Sequence, residues 1–350
     1  MAHIGIVDAD DENERMLAPS RIMRPAITRA GGGRSREELV FDAREMIRIG
    51  SRSFYAASWL FDKPTREKAW LLYAWCRQCD DIADGQDLGG NLVDPPENQQ
   101  EAEDRLQGIR VLTRRAFEGQ PTAEPAFDGL GQLAMETGID PDMADDVIAG
   151  FALDAAEWRP RTEGDLLRYC YHVAGAVGIM MAKVMGVPDE DGETLDRACD
   201  QGIAFQLANI ARDFAIDADA GRCYIPQEWL AEEDIEPGQE MKPHHRQEMA
   251  DIARRMIALM EKHEAAARWG TRRLPFRSRW AVLAAAEIYG AIGREVVARG
   301  PRAWDERVAI GGFAKLRMIV RAFRDALDNK PADPGVILWS RHDFRPVEGW

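Results

Sequence analysis

The stretch that decides the reading is Trp70-Leu-Leu-Tyr73-Ala-Trp-Cys-Arg77-Gln-Cys-Asp80-Asp81-Ile-Ala-Asp84. Its apolar residues recur at three-to-four spacing, so it is predicted to be a helix. At about 100° per residue, Tyr73, Arg77, Asp80 and Asp84 fall within about 60° of one another on one face. That face carries a phenol, a cation and two carboxylates near the end of an otherwise apolar helix. Acids there oppose the helix dipole, and the aromatic and aliphatic surroundings weigh against a simple solvated face. A charge cluster merely ending a helix is the plain alternative. The chemical one is a divalent cation, because Mg²⁺ is typically held by one or two carboxylates together with substrate phosphates.

Outward from this stretch the same periodicity continues. Segments near 37–58, 65–84, 99–118, 126–136, 141–155, 164–185, 190–217, 245–269, 279–298 and 312–328 read as helices. Pro64, the Gly186-Val187-Pro188-Asp189 break and Gly300-Pro301 mark boundaries. Alternating strand patterns are nearly absent and no repeat is visible, which predicts an all-α, single-domain helical bundle. Residues 1–36, with Gly31-Gly32-Gly33, are expected to be a flexible arm, 37–328 the domain, and 329–350 a polar tail. Residues 88–99 and 232–243 read as surface connections.

A second polar stripe lies in Gln206-Leu-Ala-Asn209-Ile-Ala-Arg212-Asp213-Phe-Ala-Ile-Asp217. Gln206, Asn209, Asp213 and Asp217 share a helical face. Asn209 and Asp213 could coordinate a metal, and Arg212 on the flank could grip a phosphate bidentately. Such stripes are also common on exposed helices. Two of them in one bundle, each with acids at i and i+4 beside an arginine, point more specifically to a shared metal-diphosphate site. Ions there would stabilise the leaving group of an ionising allylic diphosphate.

Composition narrows the partners. The net charge of −15 argues against nucleic acid and against anionic membrane faces, unless basic residues are locally concentrated. Five scattered cysteines and the absence of a secretory leader suggest a reducing cytoplasm, with no run of about 18 or more apolar residues to span a membrane. Cys76 and Cys79 form a CxxC with no second pair, and are expected to be packing residues. His172 is expected to be a structural histidine and His244-His245 to have no metal role.

Five ordered segments then carry a resemblance: Ser51-Arg-Ser-Phe54-Tyr55, Tyr73 to Asp84, Arg168-Tyr169-Cys-Tyr171-His-Val-Ala-Gly175-Ala-Val-Gly178, Gln206 to Asp217, and Gly221-Arg222-Cys-Tyr224-Ile-Pro226. Together they resemble the squalene and phytoene synthase family, its bacterial phytoene synthase branch in particular. The resemblance implies an isoprenoid synthase fold in which Asp80, Asp84, Asn209, Asp213 and Asp217 hold Mg²⁺ (or Mn²⁺ in its place) with diphosphate. It assigns substrate contacts to Ser51, Ser53, Tyr73, Arg77, Gln206, Arg212 and Tyr289, places Phe54 beside the reacting carbons, and gives Tyr169 a part in steering or deprotonating the cation.

The reaction it implies joins two geranylgeranyl diphosphates head to head through prephytoene diphosphate to phytoene, without NADPH. This is the first committed step of carotenoid biosynthesis. Phe54, Tyr55, Tyr169 and Tyr171 could offer π faces to a desolvated cation, with core packing as the alternative for each. Peripheral membrane contact and neighbouring carotenoid-pathway enzymes are compatible partners. A squalene, dehydrosqualene or presqualene diphosphate synthase using two farnesyl diphosphates would need the same acids, and a non-catalytic relative acting in assembly should have lost them. One position departs from the pattern: Ile216 stands where many relatives carry an acid, which makes Asp217 a conditional ligand.

Overall fold

The computed structural model describes residues 29–85, 96–328, 330 and 339–344. The first 28 residues of the expected arm, most of the 88–99 connection and most of the expected tail therefore lie outside the described residues. Arg29 to Ser35 is tied to the bundle: the Arg29 amide donates to the Gly119 carbonyl, and Arg34 pairs with buried Asp128.

Among the described residues there are thirteen α-helices and no strand. They are α1 (Arg36–Gly50), α2 (Arg52–Ser58), α3 (Lys63–Asp84), α4 (Gln99–Phe117), α5 (Pro125–Thr137), α6 (Pro141–Ala155) and α7 (Glu163–Cys170), followed by α8 (Ala176–Val184), α9 (Gly192–Asp219), α10 (Gln227–Glu232), α11 (Arg246–Gly270), α12 (Phe276–Arg299) and α13 (Gly312–Asp328). The all-α expectation holds, with two corrections to the predicted segments. The 37–58 segment breaks at Ser51, whose hydroxyl accepts from the Phe54 amide and starts a new helix. The 164–185 segment is interrupted by a π turn at Tyr171–Gly175.

Two apolar clusters form the core. One is built from α1, α3 to α6 and α8 around Trp75, Phe127 and Leu130; the other gathers α7 and α9 to α12 around Tyr171, Leu207, Trp229 and Met256. Helix α9 belongs to the second cluster and packs against α8, which contributes Met180 and Val184 to the first and Ile179 and Ala182 to the second. Its approach to α8 and the π turn depends on glycine: a Cβ at Gly178 would lie 2.3 Å from the Ala198 carbonyl oxygen, and one at Gly202 would lie 2.1 Å from that of Ala174. Glycine normally weakens a helix interior by about 1 kcal/mol, yet here it admits close backbone packing.

Candidate active site

The two acid-bearing helices end in the same place. Asp62 caps α3 by accepting from the Thr65 amide at 3.0 Å, and Gly85 stops it at φ 65° immediately after Asp84. Asp191 caps α9, which ends at Asp219, before Gly221 at φ 74°. Asp80, Asp84, Asp213 and Asp217 thus occupy C-terminal turns, and all four line one cavity of about 660 Å³. Two helix C-termini and four carboxylates concentrate negative potential at that end.

A fifth carboxylate, Asp154 at the end of α6, joins them and was missed from sequence. Tyr169 and Tyr224 donate to its Oδ1 at 3.0 and 2.9 Å. The sequence signal available was Tyr224, which sits in a quoted motif but received no role.

The electrostatics follow from burial and crowding. Burial raises Asp80 to about 6, with Asp84, Asp81 and Asp154 adding to the effect against Arg77. Burial and then Asp213 raise Asp217 to about 7. Burial raises Asp154 to about 6 although Tyr224, Arg222 and Tyr169 oppose it. Asp213 behaves differently: burial pushes it up, but Arg212 and Arg307 outweigh burial and hold it below the ordinary carboxylate range. Arg212 Nε donates at 2.8 Å, and Arg307 donates through Nε and Nη2 at 2.9 Å each. Arg307 lies in a segment without periodicity and was also missed.

Hard oxygen donors crowded to the point of retaining protons suit a hard divalent cation. Among the described residues no three Asp, Glu, His or Cys side chains form a set that could hold an ion by themselves. An ion held here by one or two of these carboxylates would need further oxygen donors, such as water or phosphate. Cations already border the acids: Arg77 pairs with Asp80, and Arg222 reaches Asp84 at 3.2 Å.

The remaining expected residues divide into two groups. Phe54, Tyr73, Arg77, Tyr169, Gln206, Asn209 and Tyr289 line the cavity. The Phe54 ring lies 6.3 Å from those of both Tyr73 and Tyr289, and Phe205 stacks on Tyr289 at 4.1 Å. Ser51, Ser53 and Arg212 do not line it: Ser51 caps α2, Ser53 accepts from Lys315 at 3.4 Å, and Arg212 holds Asp213. Tyr55 stacks on Trp70, and fully buried Tyr171 donates to Asp146, so both are packing residues rather than cavity aromatics. His172 is buried with Nδ1 2.8 Å from the Asp146 carbonyl oxygen, a structural histidine. Burial pushes the Cys76 thiol up to about 12, and all five cysteines are free of disulfides; Cys79 is fully buried in the core, while Cys76 also borders the cavity.

The rest of the cavity is mainly apolar, with Leu72, Val177, Met181, Met185, Phe205 and Val282 on its walls, while Met180 belongs to the core. Along α9, lining residues extend from Asn209 back to Thr194, a rise of about 22 Å at 1.5 Å per residue. The far end is polar. Gln201 lines it with an amide that has no hydrogen-bond partner among the described residues, and Arg197 beside it pairs with Asp200, which in turn meets His263 at 2.6 Å.

Comparisons with known proteins agree with this architecture. The family described as "Squalene/phytoene synthase" matches residues 47–314. A 15-cis-phytoene synthase of Enterobacter agglomerans is 44% identical, over 87% of this chain and 99% of that protein. One of Pantoea ananas is also 44% identical, over 89% and 97%. Among solved structures, a dehydrosqualene synthase superposes with TM-score 0.73 at 21% identity, covering 84% of this chain and 98% of that one. The squalene synthase HpnC of Alicyclobacillus acidocaldarius gives 0.66 at 20%, covering 78% and 98%. At those identities the solved structures speak for the fold, whereas the family match spans most of the chain and all four aspartates of the two stripes. The chain belongs to the squalene/phytoene synthase family.

Proposed function

We propose that the protein is a phytoene synthase, joining two geranylgeranyl diphosphates head to head and releasing two diphosphates. The observation that carries this reading is the convergence of two acid-bearing helix ends on one cavity whose body is apolar. The diphosphates belong at the acidic end and the prenyl chains along the walls. A C20 chain has about sixteen backbone carbons and extends to about 19 Å, which the roughly 22 Å run along α9 accommodates.

Asp80, Asp84, Asn209, Asp213 and Asp217 are the residues to hold Mg²⁺ together with diphosphate. When bound, Mg²⁺ supplies Lewis-acid stabilisation of the departing diphosphate. Arg77, Arg212, Arg222 and Arg307 neutralise the acids before substrate arrives, and their guanidinium groups suit diphosphate oxygens afterwards. Phe54, Tyr73, Phe205 and Tyr289 exclude water from the allylic cation and present aromatic faces near it. Tyr169 keeps its proton, because burial raises its phenol well above the usual value and Asp154 accepts its hydrogen bond. It orients through that bond and acts as no base in its resting form.

The relatives at 44% identity are named as phytoene synthases, which favours the C20 substrate over the C15 substrate of the dehydrosqualene and squalene synthases that share the fold. Incubation with Mg²⁺ and either geranylgeranyl or farnesyl diphosphate, with mass spectrometry of the hydrocarbons, tests the choice. A C40 product from the former is expected, and a C30 product alone would overturn it.

A further inference from the structure

Helix α13 leaves a wide apolar face uncovered. Phe313, Leu316, Val320, Phe323 and Leu327 are all exposed, Phe313 by 82% and Leu327 by 63%. At 100° per residue these five fall within an arc of about 80°. The opposite face carries Ala322 and Ala326, fully buried against Leu283 and Ala284 of α12. Apart from Phe323, whose ring also meets Phe276 and Trp280 of α12, the exposed side chains are therefore not what holds α13 to the bundle.

The charge beside this stripe has the opposite sign to the protein as a whole. Arg324, Arg317 and Arg321 follow it along one flank, all exposed, with Lys315 on the helix as well. Two acids, Asp325 and Asp328, share the helix with these four cations, so it keeps a net charge of +2 on a chain of −15. Arg321 lies 3.9 Å from Glu287, and Lys315 donates to Ser53. Exposed Arg277 adds a further cation at the start of α12, where it donates to the carbonyls of Trp59 and Leu60. This is the local concentration of basic residues that overall composition conceals.

The stripe is continuous with other surface aromatics and approaches the cavity. The Phe323 ring meets Phe276 at 5.6 Å and Trp280 at 5.1 Å. Trp280 and Leu60 pack on the same small cluster as α13, while the next residue, Phe61, lines the cavity. On α12, Leu283 and Ala284 face α13, and Ala281, Val282 and Ala285 face the cavity. Helix α12 thus lies between α13 and the apolar chamber.

We infer that the outward face of α13 docks the protein on an anionic bilayer surface. An amphipathic helix with large apolar residues on one arc and arginines beside it lies in the interfacial plane, its apolar side sunk about 5–10 Å and its cations at the headgroups. A second copy of this chain fits less well, because a self-complementary face would bring the same arginines against each other. Docking on this face holds the α2–α12 side of the chamber against the bilayer, a short path for an apolar product; that consequence rests on the proposed function, and the docking itself does not.

The test uses the full-length protein without substrate and sedimentation with vesicles. Binding to phosphatidylglycerol-containing vesicles is expected, with weak binding to pure phosphatidylcholine. Replacing Phe313, Leu316 and Val320 together by serine should lower the bound fraction about tenfold or more, since their burial in lipid is lost. Arg317→Glu with Arg321→Glu should abolish the preference for anionic lipid. Turnover of geranylgeranyl diphosphate in detergent should stay unchanged in both variants, none of whose residues lines the cavity, and unchanged circular dichroism excludes unfolding. Equal vesicle binding by wild type and the serine variant would overturn the inference. So would wild-type dimers that the serine substitutions dissociate while vesicles capture neither form.

Discussion

The rings of Tyr169 and Tyr224 stack with centroids 4.7 Å apart, and both hydroxyls donate to one oxygen of Asp154. Two donors converging on a buried acceptor make the carboxylate hard to replace. In Asp154→Asn an amide NH₂ takes the place of one oxygen, and the carbonyl oxygen left is a weaker acceptor for two phenols. A loss of about 1–3 kcal/mol in unfolding free energy is expected by chemical denaturation. Tyr224→Phe, which removes one donor and leaves the other, should cost about 1 kcal/mol. Equal stability of Asp154→Asn and wild type would contradict the shared-acceptor arrangement.

Asp80 and Asp213 are proposed to act on the substrate rather than on the fold. Asp80→Asn and Asp213→Asn should each lower kcat/KM by about 100-fold or more. Their unfolding midpoints should stay close to wild type. Arg307→Ala should raise KM more than it lowers kcat if this guanidinium helps to capture the diphosphate. A wild-type rate in either aspartate variant would remove that residue from the metal site.

The raised carboxyls give the metal-free protein a pH profile of definite sign. Asp80 and Asp154 sit near 6 and Asp217 near 7 in the fold, above their ordinary value of 3.8, because of burial. A group whose pKa is raised by folding contributes stability in full below its unfolded pKa and loses it as pH rises through the folded one. Asp213 is lowered, so its contribution is present above about pH 4 and changes little at higher pH. The thermal midpoint without metal should therefore fall between pH 5 and about pH 8, and Asp217→Asn should lessen the fall. Mg²⁺ with inorganic diphosphate should raise the midpoint most at the alkaline end, where the acids are ionised. Scanning calorimetry across that range, with and without Mg²⁺, reads both effects; a flat metal-free profile would contradict the crowding.

Gly202 offers a test of packing through a reversal of sign. On an open helix glycine to alanine stabilises by about 1 kcal/mol. Here the new methyl would sit 2.1 Å from the Ala174 carbonyl oxygen, so Gly202→Ala should instead destabilise by about 1–3 kcal/mol. Greater stability in that variant would mean that α9 does not approach the π turn so closely.

Much of the candidate site was legible because both acid stripes ride on long helices, where a period of 3.6 fixes which side chains share a face. Asp80, Asp84, Asp213 and Asp217 needed only that rule. Asp154 and Arg307 escaped it for different reasons. Asp154 is one acid at a helix end: Glu157, three residues on, lies beyond that end at φ 50° and shares no helical face with it, and the phenol partners of Asp154 lie 15 and 70 residues away. Arg307 lies between helices and reaches Asp213 only through the tertiary fold. The π turn at Tyr171–Gly175 was illegible because a local change of helical period leaves the apolar pattern almost intact. Without the fold, the roles of Tyr55 and Tyr171 could not be separated from those of Phe54 and Tyr169. The stripe on α13 was visible as helical periodicity, yet only the fold reveals that its apolar side faces outward.

The central claim is that one cavity joins two prenyl diphosphates and expels both diphosphate groups. The most direct measurement counts diphosphate released against C40 hydrocarbon formed from geranylgeranyl diphosphate and Mg²⁺, with no nicotinamide cofactor added. Two diphosphates per phytoene are expected. One diphosphate per molecule of a C20 product, or no hydrocarbon until a reductant is supplied, would contradict it.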